Sequence, residues 1–294
     1  MSPWPIIAYK KAGYTEEKSG DKIVYADLHI HTTASDGTDT PTEVVGKALR
    51  IGLCAIAISD HDTLEGVNEA KRAAEKFNLE VISGVEVNTF VDGKEIHILG
   101  YLIDPDNDEF VSKLMELQED RLTRIKKMVE KLRELDIQID LDRVLELSAG
   151  GSIGRPHLAQ ALMESSYVAS LQEAFTKYIG AGKPAFIPRE KLTPEEAIRL
   201  IIKARGVPVL AHPGLSKIDS YIEKFIAAGL KGLEVWHRNH TSLMVNHYTK
   251  LAAEYDLIPT GGSDYHGARH DTCNVLGGAV APYESIRLLK KSLA

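Results

Sequence analysis

Short apolar runs that end in metal-binding residue types recur along this chain. They constrain its fold more than any other feature. The first run covers residues 22–30 and carries Asp27-Leu28-His29-Ile30, with His31 directly after it. A strand sends alternate side chains to one face, so His29 and His31 project together, as two imidazoles gripping one ion would. Asp36-Gly37 follows in a loop and brings a carboxylate to the same mouth. One H-x-H alone is more often a surface pair, but here the pattern repeats. Residues 55–59 end in Ser59-Asp60-His61-Asp62, 80–87 carry Glu86, and 95–102 carry His97. Further on, 207–211 end in His212-Pro213, 232–236 end near His237-Arg238-Asn239-His240, and 258–263 lead to Asp264-Tyr265-His266.

Helical stretches separate these runs. Thr40-Pro41-Thr42-Glu43 forms a capping box with proline at the first helical position, and Thr193-Pro194-Glu195-Glu196 repeats the signal. Helices are expected to about residue 51, over 64–77, to about 204, and over 220–228, 242–255 and 282–293. Such alternation predicts a parallel α/β sheet or barrel, in which the carboxyl ends of the strands converge on one mouth. The rhythm breaks after Asp104-Pro105-Asp106. Residues 110–135 place Leu114, Leu117, Leu122, Ile125, Val129 and Leu132 near helical spacing, and helices are expected over 141–148, 155–164 and 171–178. We read 105–185 as a helical cap inserted over the mouth; the plainer alternative is that these helices brace the barrel from outside. The barrel itself is expected over 22–104 and 186–294, and residues 1–21 as an N-terminal extension.

The formal charge of −7 over 294 residues provides no general basic field, so duplex DNA is not an expected partner. The two cysteines, Cys54 and Cys273, are too few for a disulfide framework and fit a reducing compartment. No secretory leader and no apolar run of membrane-spanning length is evident, which predicts a cytoplasmic protein with no membrane partner.

The candidate metal ligands are His29, His31, Asp36, His61, Glu86, His97, His212, Asp264 and His266. Taken singly, His97 would more often be a packed core histidine and Asp264 a turn former. Taken together, they form a nitrogen and carboxylate donor set without thiolates, suited to manganese, iron or zinc. Nine donors exceed one site, so two or three divalent ions are implied, an arrangement suited to hydrolysing phosphate esters. Arg155 and Lys183 are cations fit to meet a phosphate. For His240, contact with substrate phosphate or protonation of a leaving oxygen competes with helix capping by Asn239 or Thr241. His247 and His270 read as surface residues, while Tyr101 and Trp236 read as either core or base-stacking groups.

In order and type, these motifs resemble the PHP (polymerase and histidinol phosphatase) superfamily. The resemblance implies a distorted, TIM-like (β/α)7 barrel with up to three metals. It assigns His29, His31, Glu86 and Asp264 to a first ion, Glu86, His97 and His212 to a second, and Asp36, His61 and His266 to a third. Gly154-Arg155-Pro156-His157-Leu158-Ala159 and Gly182-Lys183-Pro184-Ala185-Phe186-Ile187-Pro188 resemble the cap of the bacterial branch containing RNase AM and the 3′,5′-nucleotide bisphosphatase. That branch implies a hydrolase acting on a nucleotide or a short RNA oligonucleotide. A metal-bridging hydroxide would attack phosphorus while Arg155 and Lys183 hold phosphate from the cap. A histidine, His266 or His240, or a metal-bound water would protonate the leaving oxygen. The alternatives are a 5′→3′ exoribonuclease on short RNA, another small-molecule phosphatase such as one for histidinol phosphate, and a metal-binding module without catalysis.

Overall fold

The computed structural model describes residues 24–188, 192–267 and 275–293. The expected extension at 1–21, His270 and Cys273 lie outside the described residues. Seven main strands form one sheet: β1 (Tyr25–Ile30), β2 (Ala55–Ile58), β3 (Glu80–Val91), β4 (Lys94–Tyr101), β5 (Val207–Leu210), β6 (Gly232–His237) and β7 (Ile258–Gly262). They lie in sequence order, and a two-residue β8 (Ala281–Pro282) pairs antiparallel with the outer side of β1. Beyond β7, Tyr265 pairs in parallel with Ile30, and His31 N–H donates to the Tyr265 carbonyl at 2.8 Å. The sheet therefore nearly closes into the expected barrel.

One strand departs from the parallel expectation. β4 runs antiparallel to both β3 and β5. Asp92 and Gly93, with φ of 48° and 78°, close a two-residue hairpin between β3 and β4. Both conformations are left-handed, the geometry that suits an Asp-Gly turn between strands. His97 therefore reaches the mouth from a returning strand rather than from a strand's carboxyl end.

The helices begin where the capping signals place them. In α1 (Pro41–Ile51) the Thr40 Oγ1 accepts from Glu43 N–H at 3.2 Å, and the Glu43 carboxylate accepts from Thr40 N–H at 2.8 Å. α2 (Glu65–Ala74) follows β2. After β4 come α3 (Asp108–Glu134), α4 (Leu141–Leu147), α5 (Arg155–Glu164), α6 (Leu171–Ala174) and a π-helical turn over Phe175–Ile179. The remaining helices are α7 (Pro194–Lys203), a short α8 (Pro213–Ser216), α9 (Ile222–Ala228), α10 (Ser242–Glu254) and α11 (Tyr283–Lys291). Among the described residues no helix is long and apolar enough to cross a membrane.

Two apolar clusters result. The larger joins the strand residues Leu28, Ile56, Ile98 and Leu233 to the helices packed on the sheet. Tyr101 belongs to it: the ring is fully buried and its hydroxyl donates to the Leu28 carbonyl at 2.8 Å, which settles this residue as core. Trp236 is buried in the same cluster. The second cluster contains Val144, Leu158, Leu162 and Ile179 from the helices between β4 and α7. Helix α3 serves both. Phe110, Leu114 and Leu117 enter the first cluster, while Ile125, Met128, Val129 and Leu132 enter the second.

Candidate metal centre

Glu86 stands at the centre of the mouth. It is buried on β3, and its carboxylate meets five histidines. Oε2 lies 3.3 Å from His29 Nε2, 3.1 Å from His31 Nε2 and 3.1 Å from His61 Nδ1. Oε1 lies 2.7 Å from His97 Nδ1 and 3.0 Å from His212 Nε2. Asp264 approaches from the end of β7, with Oδ1 3.5 Å from His29 Nε2 and 3.3 Å from His31 Nε2. On the opposite side Asp36 Oδ1 is 3.3 Å from His266 Nε2, and Oδ2 is 3.8 Å from His61 Nε2. All nine sequence-derived ligands thus converge.

Eight of the nine place donor atoms in three compact groups. These are His29, His31, Glu86 and Asp264; His61, Glu86 and His97; and His31, Asp36, His61 and His266. The first matches the expected set. The second holds His61 where His212 was expected, and His212 joins only through Glu86. The third gains His31, so His31 and His61 each face two groups.

The chemistry of this donor set fits divalent cations. His29 Nε2, both nitrogens of His31, and His61 Nδ1 are buried without a well-directed hydrogen bond, although carboxylate oxygens lie nearby. Converging lone pairs of this kind are stable only around positive charge. The proton equilibria say the same. Burial opposes ionisation of Glu86, Asp36 and Asp264, yet the surrounding imidazoles hold all three carboxyls well below their ordinary range. Burial also opposes protonation of His31, but Asp264 and Glu86 outweigh it and raise the ring to about 10. His97 rises to about 9 against burial, through Glu86 and Glu95. At His61 burial wins, and the ring falls to about 3, which keeps it neutral as a metal ligand would need to be. Metal binding would replace protons on His31 and His97.

Residues 27–187 match the PHP domain family model. The chain belongs to the PHP family. A 5′-3′ exoribonuclease from Haemophilus influenzae is 34% identical over 245 residues, covering 82% of this chain and 89% of the relative. A 3′,5′-nucleoside bisphosphate phosphatase from Chromobacterium violaceum is 32% identical over 246 residues, covering 82% and 86%. A solved structure from Bifidobacterium adolescentis, assigned as a metal-dependent phosphoesterase, superposes with a TM-score of 0.83 at 35% identity and covers 90% of this chain and 94% of that one. The protein is a metal-dependent phosphoric ester hydrolase with a PHP barrel.

Buried carboxylates that sequence reading missed hold the PHP centre in place. Glu234 on β6 lies 3.0 Å from His29 Nδ1 through Oε1 and accepts from His212 N–H at 2.7 Å through Oε2. Burial opposes its ionisation, but His29 beside it holds the carboxyl below the usual range. Asp27 on β1 accepts from Ser263 Oγ, Ser263 N–H, Gly277 N–H and His29 N–H, and burial still pushes its carboxyl up to about 6. Asp60 accepts from Thr32 N–H at 2.7 Å and Ser35 Oγ at 2.6 Å, which shapes the loop that ends in Asp36. An acidic residue inside a mostly apolar, buried run is the available signal at both Asp27 and Glu234.

The residues expected to bind substrate divide in two. Arg155 starts α5 and turns its guanidinium onto Glu95 of β4, over the faces of Phe175 and Phe186. Glu95 Oε1 is 3.8 Å from His97 Nε2, so a single carboxylate separates this arginine from the PHP centre. Lys183 is exposed on the turn after the π-helical segment, with its backbone N–H bonded to the Gly180 carbonyl. His157 is buried, and its Nδ1 accepts from Gly154 N–H at 3.0 Å, a packing and capping role. His240 donates from Nδ1 to the Val235 carbonyl at 2.9 Å and accepts at Nε2 from Gly214 N–H at 3.2 Å, so backbone groups occupy both ring nitrogens. His237 was not counted as a ligand, yet it is buried with Nε2 3.4 Å from Asp264 Oδ2. His247 pairs with Asp219 at the surface, as expected.

Proposed function

We propose that this PHP hydrolase removes a phosphate from nucleoside 3′,5′-bisphosphates, using two or three manganese, iron or zinc ions. The observation that carries the reading is the position of Arg155, one carboxylate away from the convergent donors. A cation placed so close to the centre suits a small substrate with a second phosphate a short distance from the scissile one. The Chromobacterium violaceum relative supports the same class. Residues 105–185 act in this reading as a cap over the mouth, with Arg155 and Lys183 on its substrate side.

Eight of the nine candidate ligands would hold the ions in three groups, with Glu86, His31 and His61 shared between them, and His212 would join through Glu86. Bound ions would polarise the phosphoryl oxygens and make an attacking water acidic. Glu234 and Asp27 keep His29 and Asp264 aimed at the centre. Proton delivery to the leaving oxygen falls to a water in the site, because His240 has both ring nitrogens on backbone groups, while His266 has Nδ1 on the Asp264 carbonyl and Nε2 among the candidate metal donors. A cytoplasmic location, expected from the sparse cysteines, belongs to the same proposal.

A second reading has a specific support. The Haemophilus influenzae relative is a 5′-3′ exoribonuclease, and cleaving short 5′-phosphorylated RNA would use the same groups. The deciding experiment is manganese-supplemented hydrolysis of adenosine 3′,5′-bisphosphate beside a 5′-phosphorylated RNA pentamer, reading free phosphate and released mononucleotide. Phosphate from the bisphosphate alone is the expected result. Mononucleotides from the pentamer would establish the exonuclease instead. Inactivity on both substrates by protein shown to bind manganese would reject both readings.

A further inference from the structure

Arg121 is buried on α3 at the point where that helix passes from one apolar cluster to the other, between Leu117 and Ile125. Its guanidinium does not pack idly there. Nε donates to Asp62 Oδ2 at 2.6 Å, one terminal nitrogen donates to Asn88 Oδ1 at 2.5 Å, and the other points to the Ile153 carbonyl at 3.4 Å. Both side-chain partners adjoin the PHP centre. Asp62 follows His61 and adopts a left-handed φ of 52°. Its N–H donates to the Glu86 carbonyl at 3.1 Å, its Oδ1 accepts from Asn88 N–H at 3.3 Å, and its carbonyl accepts from Gln118 of α3 at 2.9 Å. Asn88 in turn places Nδ2 2.9 Å from His97 Nε2. A single side chain from the helical region therefore bonds two side chains that adjoin His61 and Glu86, one of which reaches His97. A second contact joins the same region to the Asp36 loop, through Ser152 N–H to the Ala34 carbonyl at 2.9 Å.

We propose that Arg121 is a positioning residue that couples docking of the 105–185 helices to metal binding by His61, Glu86 and His97. The proposal rests on the reading of those three as metal ligands. The arginine fork meets two acceptors held at a fixed separation, which a lysine cannot do at once. Partners behind the ligands govern metal affinity because they fix ligand orientation before the ion arrives. Coupling of this kind is reciprocal, so a bound ion also holds the helices down on the barrel.

The test is manganese binding to the full-length chain, followed by electron paramagnetic resonance of the free ion, with no turnover needed. Wild type is compared with Arg121→Lys, Arg121→Met, His61→Ala and the double variant Arg121→Met/Asp62→Asn. The double variant removes the buried negative charge that Arg121→Met would leave without its guanidinium, and so guards against loss of folding. Circular dichroism checks each fold. Arg121→Met and the double variant should bind manganese at least about tenfold more weakly than wild type, with Arg121→Lys between. A residue that only braces the fold would lower Tm and leave the binding curve where it was. Wild-type affinity in a folded Arg121→Met or double variant overturns the proposal while leaving the ligand reading intact. Absence of manganese binding by wild type, or wild-type binding by His61→Ala, overturns the ligand reading and the proposal with it.

Discussion

Glu234 reaches His29 with one carboxylate oxygen and the backbone N–H of His212 with the other, from inside a fully buried strand. A carboxylate on the far nitrogen of a metal-binding imidazole fixes its tautomer and raises its basicity. Glu234→Gln keeps the shape but turns an acceptor into a donor, leaving buried groups unpaired at a cost of about 1–3 kcal/mol. Manganese affinity should fall by roughly 10- to 100-fold in titrations of the folded variant, and an unchanged isotherm would remove Glu234 from the centre. Proton linkage gives a second expectation at this scale. In the metal-free protein His31 and His97 are raised from 6.5 to about 10 and about 9, so each binds its proton more tightly when folded. That stabilisation is complete below the unfolded value and is lost as pH climbs through the folded ones. Chelator-treated protein should therefore lose Tm between pH 7 and 10 by scanning fluorimetry, an effect absent from manganese-saturated protein. Over the same interval manganese should bind more tightly as pH rises, because fewer protons compete.

At the scale of elements, close strand approach decides whether the donors meet. Gly262 ends β7 against β1, where a Cβ would stand 2.3 Å from the His29 nitrogen and 2.4 Å from its Cβ. Only glycine lets Asp264 arrive opposite His29 and His31. Gly262→Ala should push the two strands apart, costing about 1–3 kcal/mol in urea unfolding and lowering the number of manganese ions bound. Retention of full stoichiometry would show that the strand ends tolerate the shift. The hairpin of β3 and β4 turns on a local signal. Asp92-Gly93 between two apolar runs is a strong two-residue turn signal, and it was available in the sequence. The helix–strand rhythm predicts a parallel sheet and masks this signal, so the antiparallel course of the strand carrying His97 is not expected from the sequence. The capping boxes at Thr40 and Thr193, by contrast, operate through residues three apart and were legible directly.

For the molecule as a whole, α3 joins the barrel core to the second apolar cluster, and Arg155 is carried by that second cluster to the edge of the centre. If Arg155 holds a remote phosphate, Arg155→Ala removes binding shared by ground and transition states. KM for the bisphosphate should then rise with kcat little changed and manganese affinity intact. Loss confined to kcat in steady-state kinetics would place the residue in the chemistry instead. By itself the sequence determined which residue types stand at strand ends, where the helices begin, and that all nine donors belong to one mouth. Those properties depend on neighbours a few residues apart and on strand periodicity. Only the tertiary structure decided that β1 and β7 nearly close, that Glu86 faces five histidines, and that His31 and His61 each serve two groups. It also decided that Glu234 and Arg121 stand behind the candidate ligands. These outcomes follow from which backbones approach within a few ångströms across the barrel, and no local pattern encodes a distance between residues far apart in the chain.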